Sequence, residues 1–278
     1  MKKVLVTLTA LAGAAAASPT LAQTAGDQWT GFYAGGSVGY AFQGGDNGSS
    51  ILFDNDLDGS FGDTVRTGMG ADAFSPGFCG GAATGPTPAS GCDSDGDGIE
   101  YYGHIGFDQQ INDNWVIGVI AEFGRAEIDD SVSGFSTTPA FYTMTRKLKH
   151  NAGLRARIGY TPNGTTLIYA TGGGAYGKVK NSFTTSNGAN SFTGNGNSDA
   201  WGLSVGGGVE QKLSRNLSVG IQYLYTDLKD NDYRVAVGPG TAPSTNPFLL
   251  VNPAGTDFRR SDTSLSYHSV RLTASYRF

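Results

Sequence analysis

The chain has 278 residues, a formal net charge of −5 and only 15% charged residues, against a usual ~25% for soluble domains. The acidic balance speaks against nucleic-acid binding, which needs a basic face. The 43 glycines argue against helices and for tight turns or closely packed strands.

Lys2 and Lys3 open the chain, and an apolar run extends from Val4 to Ala17. Thr20 and Ala22 then supply a small-residue cleavage site. This pattern reads as a secretory signal peptide over 1–22, cut after Ala22, rather than a short N-terminal anchor. The leader holds no acid, so its loss takes the formal charge from −5 to −7. No later run reaches about 18 apolar residues, so a membrane crossing by 23–278 has to use strands.

Eight segments alternate with period two. In 31–42, Phe32, Ala34, Val38, Tyr40 and Phe42 share one face and Tyr33, Gly35, Ser37, Gly39 and Ala41 the other. In 99–110, Tyr101, Ile105 and Phe107 oppose Tyr102, His104 and Asp108. From 115, Trp115, Ile117, Val119, Ala121 and Phe123 oppose Gly118 and Glu122. In 148–160, Leu148, Ala152, Leu154, Ala156, Ile158 and Tyr160 oppose Asn151, Gly153, Arg155, Arg157 and Gly159. The fifth segment, 165–179, has glycines that blur its faces. The sixth sets Trp201, Leu203, Val205 and Val209 against Ser204, Gly206, Gly208, Glu210 and Lys212. The seventh sets Leu217, Val219, Ile221, Tyr223 and Tyr225 against Ser218, Gly220, Gln222 and Thr226. The last sets Val270, Leu272, Ala274, Tyr276 and Phe278 against Arg271, Thr273, Ser275 and Arg277.

Short connections at 111–114, 161–164 and 214–216 alternate with long ones at about 43–98, 129–145, 180–199 and 229–263. That alternation predicts an all-β fold, an eight-stranded antiparallel up-and-down transmembrane β-barrel with its long loops extracellular. Trp115, Trp201, Tyr40, Tyr101, Tyr160, Tyr223, Tyr225 and Tyr276 fall mostly near strand ends on the apolar face. Interfacial girdles sit there, which favours lipid over the inside of a soluble sandwich or lipocalin.

Three stretches, 29–40 (WTGFYAGGSVGY), 154–177 (LRARIGY…LIYATGGGAYG) and the closing SYRF, resemble the small outer-membrane β-barrel proteins of alphaproteobacteria, the Omp25/Omp31-like or porin-family group. The resemblance covers most strands and leaves out the long first loop. It implies residence in a Gram-negative outer membrane and insertion by the barrel-assembly machinery. Leu272, Tyr276 and Phe278 stand at the positions of the terminal assembly signal. It implies no agreed biochemical activity.

By strand parity Glu122, Arg155, Arg157, Glu210 and Arg271 face the lumen at neighbouring heights. An eight-stranded interior is just wide enough for side chains, so the favoured reading is a polar network that fills it. The alternative is a narrow conducting path for small solutes. Cys79 and Cys92 in an exported chain are expected to pair, closing a loop of about 14 residues, with a two-cysteine metal site as the weaker reading. Asp54, Asp56 and Asp58, and Asp93, Asp95 and Asp97, alternate as in a calcium loop, but its twelfth position falls on Val65 and His104. Solvated acidic turns are the plainer reading, weak Ca²⁺ sites the other, and cation-bridged lipopolysaccharide phosphates an intermediate case. No other cofactor is implied.

His150 and His268 point outward near the outer rim, while Ser269 points inward. No nucleophile, base and acid share a face, so no enzyme is expected. The expectation is a monomeric outer-membrane protein with a structural and surface-presenting role, in contact with membrane lipid and lipopolysaccharide. A low-conductance porin is the alternative, and a lipid-modifying enzyme the remoter one.

Overall fold

The computed structural model describes residues 28–44 and 48–278. The leader expected at 1–22 and its cleavage site lie outside the described residues. Eight long strands form the wall: β1 (Gly31–Phe42), β2 (Gly98–Ile111), β3 (Trp115–Ala126), β4 (Ala140–Tyr160), β5 (Thr166–Thr185), β6 (Ser198–Lys212), β7 (Leu217–Lys229) and β8 (Ser264–Arg277). Each pairs antiparallel with its chain neighbours, and β8 pairs with β1 from Tyr33↔Arg277 to Phe42↔His268, which closes the barrel. Closure leaves no unpaired edge for lipid to meet.

The alternation decides which face is which. Leu154, Val119, Phe123 and Leu203 are each more than half exposed on the outside, while Arg155, Arg271 and Glu210 are buried within. Soluble monomers rarely expose contiguous apolar patches beyond a few hundred Å² (roughly), whereas here the outward apolar side chains of all eight strands are exposed. Trp115 packs edge-on against Tyr160 at 5.5 Å on the periplasmic side, and Tyr176 lies 4.8 Å from Trp201 on the outer side. These rings mark the two interfaces of the hydrocarbon layer. No helix among the described residues is long and apolar enough to cross a membrane; the strands do it.

The long connections are more ordered than the alternation suggests. β4 and β5 run 21 and 20 residues. At ~3.3 Å per residue they extend well past a hydrocarbon core of about 30 Å. Their outer ends, 140–145 and 180–185, lie where 129–145 and 180–199 read as loop. Asp129–Ser136 pairs with the outer half of β4, and Gly77–Gly80 pairs with Asp129–Ser136 in turn. Beyond the barrel a second sheet is built from three loops, in the order Ser191–Gly194, Val235–Gly238, Thr256–Arg260, Ile51–Asp54. It closes over an aromatic core in which Phe53 lies 4.4 Å from Phe74 and 5.0 Å from Phe258. Val132, Tyr142 and Met144 complete that core from the hairpin side. Four connections therefore fold into one cap. The Cys79–Cys92 disulfide, with Cα atoms 6.6 Å apart, ties Gly77–Gly80 to Cys92–Asp93 inside the first of them.

One face assignment is corrected. Leu148, read as lipid-facing, points inward and is 3% exposed. The pairing of β4 and β5 shifts between Lys178 and Val179: His150 faces Lys178, Leu148 faces Val179, and Lys149 has no opposite residue. This β-bulge inserts one residue and reverses the parity of everything above it.

Candidate functional site

The lumen is built in layers, and each layer follows from inward parity. At the periplasmic mouth Trp29 lies fully buried with Val116, Leu167 and Tyr169. Its indole Nε1 donates to the Gly164 carbonyl at 3.0 Å, and its backbone N–H to Gln110 Oε1 at 3.1 Å. A residue that precedes the first strand thus sits across the opening.

Above it lies a chain of four charges. Arg277 donates to Asp108 at 2.7 Å, Asp108 accepts a two-pronged contact from Arg157, and Arg157 donates to Glu210 at 3.0 Å. Ser218 donates to the remaining Glu210 oxygen at 2.6 Å. The rings of Tyr33 and Tyr169 lie 4.9 and 5.2 Å from the Arg157 guanidinium. Two glycines make this layer possible: a Cβ on Gly118 would fall 2.0 Å from Asp108 Oδ1, and one on Gly106 would fall 2.3 Å from the Tyr33 ring.

A second chain of four follows higher up. Arg155 grips Glu122 with two bonds of 2.5 and 2.8 Å. Arg271 reaches Glu122 at 3.1 Å and Glu100 at 2.8 and 3.1 Å, and stacks 3.8 Å from the Tyr102 ring centroid. Ser269 donates to Glu100 at 2.9 Å. The gap between the chains, bordered by Tyr33, His104, Glu122, Arg157, Glu210 and Gln222, measures ≈ 10 Å³. That is about the room one water needs. His104 is bonded to Ser275 across the gap at 2.8 Å.

An apolar layer then closes the outer end, with Leu148, Val179, Leu228, Leu265 and Tyr267 among its members. Over it, Asp130 accepts from Arg146 at 2.6 Å and from Arg260 at 2.5 Å, which joins β4 to two loops at the base of the cap. The cap carries a crevice of ≈ 260 Å³ among Phe74, Tyr142, Phe248, Asn187 and Asn246.

The five residues expected in the lumen network, Glu122, Arg155, Arg157, Glu210 and Arg271, all lie inside, in two clusters rather than one. Glu100, Asp108 and Arg277 belong to the same network. The alternation already sets Asp108 and Arg277 on the inward face, and parity with Tyr102 adds Glu100. In each cluster two carboxylates face two guanidinium groups. The arrangement satisfies buried charges whose desolvation costs roughly several kcal/mol each.

The other candidates separate. Asp54, Asp56 and Asp58 bring carboxylate oxygens within 4.8 Å of one another. Both oxygens of Asp54 already accept backbone N–H groups, of Asp58 and of Gly59. Among the described residues Asp93, Asp95 and Asp97 do not gather; Asp95 accepts from Ser131 N and Asp97 from Gln43 N. His104, at the twelfth position of that stretch, lies inside the barrel wall. Tyr276 and Phe278 project outward at the periplasmic rim, 5.3 Å apart, and Leu272 projects outward further up β8. His268 is bonded to the Tyr223 hydroxyl at 2.6 Å on the outside, on the opposite side of the wall from Ser269.

A closed eight-stranded barrel, apolar outside and ion-paired inside, with a large cap at one end, is the build of a bacterial outer-membrane protein. The outer membrane protein beta-barrel domain model matches residues 6–278, and the chain belongs to that family. It is 25% identical over 261 residues to the 31 kDa outer-membrane immunogenic protein of Brucella melitensis, covering 94% of this chain and 88% of that protein. It is 32% identical over 130 residues to a 22 kDa outer membrane protein of Rhizobium leguminosarum, covering 45% and 53%. Among solved structures, OprG of Pseudomonas aeruginosa aligns over 92% of this chain and all of its own, at 12% identity and a TM-score of 0.46.

Proposed function

We propose that the protein is a non-conducting outer-membrane anchor whose task is to hold a folded cap above the outer leaflet. The observation that carries this reading is the lumen, in which two neutral ion-pair clusters are closed at both ends by apolar side chains. Displacing any one charge to admit a solute would leave its partner buried and unpaired, at roughly 3–5 kcal/mol. The cap supports the presenting half of the reading: four connections share one aromatic core and a disulfide clips the first of them, which is more structure than a passive linker needs. The Brucella relative is described as immunogenic, and the cap is the part of this chain that an antibody would meet first. Catalysis has no part in the proposal, because Ser269 and His268 are committed to different partners on opposite sides of the wall.

Liposome swelling tests the anchor against a porin. Proteoliposomes in isotonic arabinose are expected to hold their volume as empty liposomes do. Swelling proportional to the amount of protein would establish a solute path and overturn the proposal.

A further inference from the structure

The outward rim of β3, β4 and β5 carries a surplus of positive charge. The last lipid-facing row on this side is aromatic, with Phe123 on β3, Tyr176 on β5 and Trp201 on β6. One outward step higher, ~7 Å along the strand, come Arg125, His150 and Lys178 on three adjacent strands. Lys149 flanks them, and Lys147 and Lys180 follow above.

Two observations set this patch apart from an ordinary solvated rim. The first is the bulge. Regular pairing would turn Lys149 into the lumen when His150 points out; the inserted residue leaves both outside, side by side, just above the aromatic row. The second is the pairing above it, where Lys147 stands directly opposite Lys180. Like charges opposite each other across strands are destabilising. Asp129 answers Lys147 at 3.0 Å, Asp199 answers Lys178 at 2.9 Å, and Glu127 lies two residues beyond Arg125 on the same face. Arg125, Lys149 and Lys180 form no ion pair among the described residues. On the far side of the barrel the corresponding rim is aromatic, with Phe42 stacked on His268 at 5.3 Å, and Lys229 is matched by Asp227 at 3.2 Å. The surplus of positive charge is local, in a chain whose net charge is negative.

We infer that this patch docks the phosphate groups of the glycolipid in the outer leaflet, with Arg125, Lys149 and Lys180 as the phosphate contacts and Phe123, Tyr176 and Trp201 against the acyl chains below. A headgroup with two phosphates spans cations spread over three strands, which a single-phosphate glycerophospholipid does not. The docking is independent of whether the lumen conducts.

The test uses the folded full-length barrel in detergent with EDTA, so that no divalent cation bridges protein and lipid. Native mass spectrometry compares retention of bis-phosphorylated lipid A, the same glycolipid after phosphatase treatment, and phosphatidylglycerol. Wild type is expected to keep the bis-phosphorylated form in preference to both others. The triple variant Arg125→Ser, Lys149→Ser, Lys180→Ser is expected to lose at least about tenfold of that preference, while Lys229→Ser keeps it. Heat-modifiable migration verifies folding, and the single variants Lys149→Ser and Lys180→Ser give the same comparison should the triple variant not fold. Equal retention by wild type and variants, or equal retention of the dephosphorylated glycolipid, overturns the docking. Equal retention of phosphatidylglycerol overturns the choice of glycolipid.

Discussion

Arg277 on β8 donates to Asp108 on β2 at 2.7 Å, reaching past β1, which lies between their strands. The bond crosses the seam at which the barrel closes, and Asp108 also holds Arg157 of β4. One carboxylate thus links the second and last thirds of the chain. Asp108→Asn keeps the shape and removes the charge, which leaves Arg277 and Arg157 buried with a single acid, Glu210, within reach. A loss of about 3–5 kcal/mol is expected, read from urea titration of the folded fraction in micelles. A loss below about 1 kcal/mol would show that the lower cluster does not hold the seam.

The upper cluster gives a sharper comparison. Glu122 is the acid on which Arg155 depends, while Arg271 also has Glu100. Glu122→Ala alone is expected to cost about 3–5 kcal/mol, and Glu122→Leu combined with Arg155→Leu much less, because the pair leaves together and Arg271 keeps a partner. The same urea titration reads both. Equal losses would mean that packing, not charge pairing, dominates this layer.

The bulge reverses what a periodic reading says of two leucines on one strand. Leu148 is buried in the outer apolar layer, and Leu154 is 65% exposed toward lipid. Leu148→Ala is expected to cost about 2–5 kcal/mol through the cavity it opens, and Leu154→Ala far less. Folding equilibria in micelles that rank the two the other way would place the bulge elsewhere.

In the cap, Asp257 faces Asp54 across paired strands. Partial burial, and then the Asp54 charge, hold the Asp257 carboxyl above the usual range for aspartate, against the nearby positive charge of Arg234. An acid whose pKa is raised by folding releases its proton more readily when unfolded, so ionising it weakens the fold. The cap is therefore expected to gain protection as pH falls through the raised value and to lose it as pH rises. Asp257→Asn should remove that dependence and slow cleavage of the cap by an added protease at neutral pH. Unchanged pH dependence in the variant would assign the effect to another group.

How much of this was legible in the sequence depends on the period of each part. Alternation over ten or more residues places Glu122, Arg155, Arg157, Glu210 and Arg271 inside, because a strand leaves each residue only two directions. Arg277 falls on the inward face by the same rule but at a strand end, away from the mid-barrel heights of the five, and Glu100 also stands near the end of its strand. Leu148 was not legible, since nothing in its neighbourhood announces an inserted residue. Trp29 precedes the first alternating stretch, so no period assigns it to the mouth. The cap was hidden for a different reason: its strands are four or five residues long and pair across the chain, as Ile51 does with Arg260. Segments that short show no period. The Asp130–Arg146–Arg260 lock likewise reaches far along the chain, Arg260 lying 130 residues from Asp130 and Arg146 reaching the Asp262 carbonyl 116 residues away, and no local pattern links them.

The most direct measurement is the current through single folded monomers in a planar bilayer at neutral pH. A lumen filled by two neutral clusters and sealed by Trp29 below and Leu148, Leu228 and Leu265 above is expected to give a flat trace at moderate voltage, with no steps that scale with salt concentration. Steady unitary steps that grow with salt, and that change size in Glu122→Ala, would contradict the sealed lumen and make the barrel a channel.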